Sequence, residues 1–325
     1  MAPPSKKQFV KDLKEGDEVE SLFSVKYKKP VRQYAKGFGF EVRLSDRTGE
    51  ITAKYWGPRD EAGVRRLYQS FQAGEVLRVR GQASSFREAL EIAVSPDKKG
   101  GMERAEEGSY DIGDFVARSA RDVELMMSTL NAAIRRIGNG HLRTLLEVFF
   151  ADEEFVARFK AAPASMWMHC NWVGGLVEHT CNVLQICEFL AKQYPKLDRD
   201  LLVAGALVHD LGKLEEYQVT TNIDVSEDGM LLGHIIIGAE MVSRACERVV
   251  GMPDNLRLKL VHMVLASHGE AEYGSPKRPQ FPEAVALHFA DNADAKLEQF
   301  IAAKEEAQTE DPWTYHKRLG HIYLR

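Results

Sequence analysis

The chain has 325 residues, 44% of them hydrophobic and 28% charged, with a formal net charge of −5. At ~100–200 residues per domain this mixture makes two compact domains with sizeable cores, and it excludes a largely disordered, collagen-like or coiled-coil chain. No apolar run approaches the ~20 residues of a bilayer span, the opening Met-Ala-Pro-Pro-Ser-Lys-Lys lacks a secretory signal's apolar stretch, and the four cysteines show no CxxC spacing, so a reduced, cytoplasmic protein without a membrane partner is expected.

Charge is unevenly placed. Residues 1–100 hold 20 Lys and Arg against 14 Asp and Glu, a net of +6, and the remainder carries −11. A basic first part on an acidic body suits contact with a polyanion, as it also suits a surface of solvated lysines. Segments 17–29, 38–45 and 50–56 alternate or run rich in β-formers, separated by glycines and by Asp46-Arg47-Thr48-Gly49. A helical stretch at 58–71 follows, then strands at 75–83 and 89–94. Three strands, a helix and two strands is the order of a five-stranded OB barrel over 1–96, a fold that binds single strands or oligosaccharides on one face. Within it Lys28, Arg32, Tyr34 and Phe38 are the candidate substrate contacts, cations for phosphate and rings for base stacking.

Residues 97–109 read as a linker of Lys, Gly and Glu. From 110 to 325 the period is helical, with stretches at 112–137, 141–150, 153–161, 176–193, 200–212, 232–250, 255–267 and 283–304 and no convincing strand. Polar groups sit on the inward stripes of these helices. His179 lines up with Leu176, Val183, Ile186 and Leu190. His209-Asp210 ends the almost wholly apolar run 201–208, and Asp291 shares a stripe with Leu287, His288 and Asp294. A buried aspartate is costly unless paired or bound to metal, so one shared polar centre with a divalent cation is expected. Three unrelated core residues are the plainer alternative.

The order His179, His209-Asp210, Asp291 resembles the HD superfamily of metal-dependent phosphohydrolases. That resemblance implies an all-α HD domain with its core at about 163–305 and these four residues as ligands of a first ion. His234 and His268 match the extended pattern of two-metal members. Gly174-Gly175-Leu176-Val177-Glu178-His179-Thr180, Leu231-Leu232-Gly233-His234, Glu272-Tyr273-Gly274-Ser275-Pro276 and Ala290-Asp291-Asn292-Ala293-Asp294-Ala295 narrow the likeness to the YhaM family of 3′→5′ exoribonucleases. The sequence departs from that family's paired histidines at His169-Cys170 and Ser267-His268.

The implied activity is phosphodiester hydrolysis of single-stranded RNA, with single-stranded DNA as a further substrate of some members, from the 3′ end by a metal-activated water. One or two ions are implied, manganese foremost, with cobalt, iron, nickel or magnesium as alternatives. Asp210 and Lys213 are the candidate catalytic residues, with the Lys213 ammonium placed to offset charge on a phosphate oxygen. Asp294 is a candidate to orient a ligand from behind, and His169 a candidate nucleotide contact. A nucleotide or cyclic-nucleotide phosphohydrolase, or a catalytically weak binding protein, are the competing readings. Oligomeric state is not legible in the sequence.

Overall fold

The computed structural model describes residues 6–86, 89–96, 100–106, 108–165, 172–307, 309 and 311–325. Two compact units divide the chain. The first comprises 1–117 with the tip Thr220–Ile223, and the second Arg118–Val219 with Asp224–Arg325.

In the first unit the strands are β1 (Glu18–Lys28), β2 (Arg32–Tyr34), β3 (Gly37–Asp46), β4 (Gly49–Trp56), β5 (Val76–Phe86), β6 (Ala89–Val94) and β7 (Gly101–Arg104), with α1 (Glu61–Gln69) between β4 and β5. The sheet runs β1-β3-β4-β6-β5, and β5 pairs back with β1, so five strands return to their start in the order expected of an OB-like fold. Among the described strands of this sheet only β4–β6 pair in parallel, because α1 and β5 carry the chain across between them. Alternation decides what fills the interior: Ile51, Ala53 and Tyr55 of β4 point in, while Thr52, Lys54 and Trp56 point out. Phe23, Val42, Leu44, Leu77, Val79 and Ile92 join them in the core. The Asp60 side chain caps α1 by accepting from Gly63 N at 3.0 Å.

Two segments differ from expectation. The supposed linker contains β7, whose Gly101–Arg104 pairs with Leu77–Arg80, so the sheet extends beyond residue 96. Met102 explains it: one buried methionine anchors an otherwise polar stretch. The helix expected over 112–137 is a 3-10 turn, Ile112–Asp114, followed by a separate helix starting after Asp122.

The second unit contains α2 (Val123–Arg135), α3 (Gly140–Phe150), α4 (Glu153–Ala161), α5 (Gly175–Gln193), α6 (Arg199–Val208), α7 (Lys213–Glu216), α8 (Glu227–Glu247), α9 (Asp254–Leu265) and α10 (Pro282–Glu306). Asp122, Asn139, Asp152 and Asp198 cap α2, α3, α4 and α6 with side-chain oxygens on first-turn amides. Every residue of α6 from Leu201 to Val208 is buried, which is why the helix reads as apolar all round. At ~1.5–3 kcal/mol for each fully buried Val or Leu, that single segment holds the bundle centre firmly.

The region is not purely helical. Tyr217–Val219 (β8) pairs with Ile223–Val225 (β9), and Trp313–His316 (β10) with Gly320–Tyr323 (β11). Both hairpins are too short to show a two-residue period above the helical background. α8 is long and apolar enough to cross a membrane by length and composition alone. It buries Ile235, Ile237, Val242 and Ala245 against the second unit and breaks at Gly233 (φ 73°).

Candidate metal centre

Three helices and two turns converge on one point. His179 lies on the second turn of α5, among Leu176, Val183 and Leu184, and is fully buried. Its Nδ1 is 2.7 Å from Asp294 Oδ2 on α10. With the ring proton on Nδ1 donated to that carboxylate, Nε2 keeps its lone pair and faces inward. His209 caps the C-terminus of α6, and its Nδ1 donates to Ala206 O at 2.9 Å, so its Nε2 also faces inward. The two Nε2 atoms stand 3.3 Å apart. Asp210 Oδ2 and Asp291 Oδ1 each lie 3.2 Å from His179 Nε2, and Asp291 Oδ1 lies 3.9 Å from His209 Nε2. All four first-ion candidates therefore meet.

The chain crosses itself tightly to bring in a second group. A Cβ on Gly212 would sit 2.0 Å from His234 O and 2.6 Å from Gly238 N, so only glycine permits this approach of α7 to α8. His234 consequently lies with Nε2 3.8 Å from Asp210 Oδ1 and 3.5 Å from His268 Nε2. Its Nδ1 is 2.8 Å from Glu216 Oε2, and its backbone N donates to Glu216 Oε1 at 3.1 Å. The break at Gly233 frees that amide, and the Glu216 carboxylate caps the renewed helix. His179, His209 and Asp210 form one group that can hold an ion; Asp210, His234 and His268 form another, with Asp210 common to both.

Two observations test whether a cation fits. Imidazole nitrogens and carboxylate oxygens crowd here, with Asp210 and Asp291 oxygens 3.2 Å from His179 Nε2 and His209 Nε2 3.3 Å from it. In addition, Asp210 Oδ1 is buried without a hydrogen-bond partner among the described residues. The surrounding carboxylates favour positive charge at this point, whether a proton or a cation. Burial disfavours a charged His179 ring, but Asp210, Asp291 and Asp294 outweigh it and hold its pKa well above the ordinary imidazole range. Burial likewise opposes ionised Asp210 and Asp291, yet Lys213 and His209 hold Asp210 well below the carboxylate range, and His179 draws Asp291 down to about 2. The donor set of imidazole and carboxylate is that of a divalent transition metal, and the residues fit one.

Lys213 is buried, with Nζ 2.6 Å from Asp210 Oδ2. Burial lowers the affinity of its ammonium for the proton, but Asp210 more than restores it, and the pKa is raised. The lysine thus sits on a ligand as well as on the wall of an adjoining cavity of about 340 Å³. His234, His268 and Asp291 reach the same cavity, so it gives solutes access to the ligand cluster. His288 supports the arrangement from behind, its Nδ1 donating to Ser267 O at 3.0 Å next to His268. His169 lies outside the described residues.

In the first unit Arg32 and Tyr34 line a cleft of about 280 Å³ with Lys29, Lys54, Tyr55 and Trp56. Tyr34 packs edge-on against Trp56 at 5.0 Å and donates its hydroxyl to Gly57 O at 2.6 Å. Lys28 is not among the residues that line this cleft. Its ammonium instead donates to Tyr68 O and Phe71 O at the end of α1, where a helix terminus attracts a cation. Phe38 is half-buried, packed against the core of the first unit. Trp56, 39% exposed, shows more ring surface in the same cleft, and strand alternation on β4 is the sequence signal for it. Glu216 was also missed, since nothing in its sequence neighbourhood marks it as the partner of a histidine 18 residues away.

Comparison with known proteins places residues 176–296 in the HD domain family. A 3′-5′ exoribonuclease YhaM of Bacillus velezensis is 31% identical over 94% of this chain and 92% of its own length. Its counterpart from Halalkalibacterium halodurans is 32% identical over 94% and 90% respectively. Among solved structures, a replication protein A heterotrimer bound to single-stranded DNA covers 38% of this chain and 29% of that chain at 19% identity, with a TM-score of 0.25 too low to bear on fold or ligand.

Proposed function

The chain belongs to the YhaM 3′-5′ exoribonuclease family, and on that premise we propose that it is a metal-dependent exonuclease that shortens single-stranded RNA from its 3′ end. One observation carries the reading: two groups of ligands share Asp210 beside a cavity that is open to substrate. Cations held there would activate water and polarise the phosphate. His179 and His209 present their lone pairs because Asp294 and Ala206 O fix the tautomers. Asp210 and Asp291 supply the negative charge of the centre. Lys213, fixed on Asp210, sets the position and charge of the shared carboxylate and faces the cavity in which a phosphate would lie. The cleft of Arg32, Tyr34, Lys54 and Trp56 provides cations and exposed rings suited to a single strand without base preference. That cleft favours a polynucleotide over a free nucleotide as substrate. Manganese is the ion we expect, in a reduced cytoplasmic setting consistent with the free, buried Cys181, Cys187 and Cys246.

The test is a 3′-shortening ladder from 5′-labelled RNA in the presence of manganese, lost on chelation. Asp210→Asn should lower kcat/KM by about 10³-fold, the loss of ~4 kcal/mol of transition-state stabilisation. Metal-loaded protein that leaves RNA intact while hydrolysing mononucleotides would replace this reading with the phosphohydrolase one.

A further inference from the structure

α7 begins with Lys213 and is capped by Tyr217, four residues on and ~6 Å further along the helix axis. Both side chains line the cavity beside the metal centre. Their separation is comparable with that between the phosphate and the base of one nucleotide. The cavity has an enclosed side, where Ala164 and Ser165 are buried, and an open side, where Glu272 and Lys296 are exposed. A strand whose 3′ end reaches the metal centre brings its last nucleotide to the enclosed side and leaves the upstream ones toward the mouth. Tyr217 is half-buried and adjoins the inner group of Lys213, Glu216 and His234.

Among the described residues on that wall, Tyr217 carries the one aromatic ring outside the histidines of the ligand cluster. Glu216 fixes it. The same carboxylate lies 2.8 Å from His234 Nδ1, accepts from the His234 amide at 3.1 Å and takes the Tyr217 hydroxyl as a further donor. One side chain thus orients a candidate metal ligand and the ring together, so the ring is set relative to the centre before any substrate arrives. Burial foremost, and the Glu216 charge after it, push the phenol pKa up, so the ring stays uncharged beside an anionic strand. With the hydroxyl engaged, what Tyr217 offers a solute is ring surface, which stacks on any base.

We propose that Tyr217 is the stacking platform for the base of the 3′-terminal nucleotide, held in place by Glu216. The proposal rests on the nuclease reading and names the contact for the nucleotide that leaves. Its test uses the full-length protein with its metal complement and three phosphorothioate-linked RNA pentanucleotides, with binding followed by fluorescence anisotropy. One RNA is intact, one lacks only the 3′-terminal base, and one lacks only the base before it. In the wild type, removing the terminal base should weaken binding about five- to 150-fold, the worth of one base–ring stack. In Tyr217→Leu and Tyr217→Met, two variants that keep apolar bulk without a ring, the same removal should cost less than twofold, and in Tyr217→Phe the full cost should return. Removing the penultimate base should cost the same in the wild type and in every variant. Ringless variants that lose affinity equally for all three RNAs have lost structure rather than a stack, and overturn the proposal. A wild type that binds and shortens RNA but is indifferent to the terminal base overturns the proposal alone. A wild type that neither binds nor shortens RNA overturns the nuclease reading with it.

Discussion

Replacing Asp294 by asparagine tests how the centre is held without touching a candidate ligand. Asp294 Oδ2 stands 2.7 Å from His179 Nδ1, and both side chains are buried. A hydrogen bond to a charged acceptor in such a place contributes about 1.5–3 kcal/mol. Asparagine keeps the shape but changes the choice offered to the ring. If its amide oxygen faces Nδ1, the bond survives without charge assistance. If its NH₂ faces Nδ1, the ring proton moves to Nε2 and points into a space 3.2–3.3 Å from Asp210, Asp291 and His209. Either outcome weakens the cation's hold, and substitutions behind ligating histidines cost 10–100-fold in metal affinity, or about 1.4–2.7 kcal/mol. Titration against a competing chelator should show that loss, with metal per chain falling after dialysis. Circular dichroism should show a retained helical fold. Affinity within twofold of wild type would refute the claim that Asp294 sets the His179 tautomer.

Three other substitutions probe different levels of the structure. Gly212→Ala forces a Cβ to 2.0 Å from His234 O, so thermal unfolding should show a loss of about 2–4 kcal/mol and the protein should retain less metal through displaced His234. Trp56→Ala removes the exposed ring of the barrel cleft and should weaken single-stranded RNA binding by about 1–3 kcal/mol in anisotropy, with hydrolysis of a small phosphodiester retained. Lys6→Met breaks the buried Lys6–Asp46 pair, 2.5 Å apart, and should destabilise the first unit by about 3–5 kcal/mol in denaturant unfolding. Burial lowers the Lys6 pKa despite Asp46, so the charged form is disfavoured on folding. The wild type should therefore gain stability as pH rises from the lowered folded value toward 10.5, and Lys6→Met should lack that gain.

The OB-like order was legible because β4 and its neighbours alternate cleanly and Asp46-Arg47-Thr48-Gly49 punctuates them. β7 was not, since a four-residue edge strand resting on Met102 leaves no periodic trace in a run of charges. Lys28 illustrates a similar limit: a lysine beside a tyrosine looks the same whether it faces a nucleic acid or the end of α1. The helices of the second unit were legible from their apolar stripes and Asp or Asn caps. The β8–β9 and β10–β11 hairpins were too short for period to register.

Sequence alone determined which residues had to find a common partner. His179, His209, Asp210 and Asp291 stand on stripes too apolar to leave them solitary, and burial of unpaired polar groups is expensive. Tertiary structure alone decided how that partner is held. Asp294 behind His179, Glu216 behind His234 and the glycine crossing at Gly212 are contacts between segments distant along the chain. Distance through space, not spacing in sequence, sets a hydrogen bond, so such supports become visible only once the helices have packed.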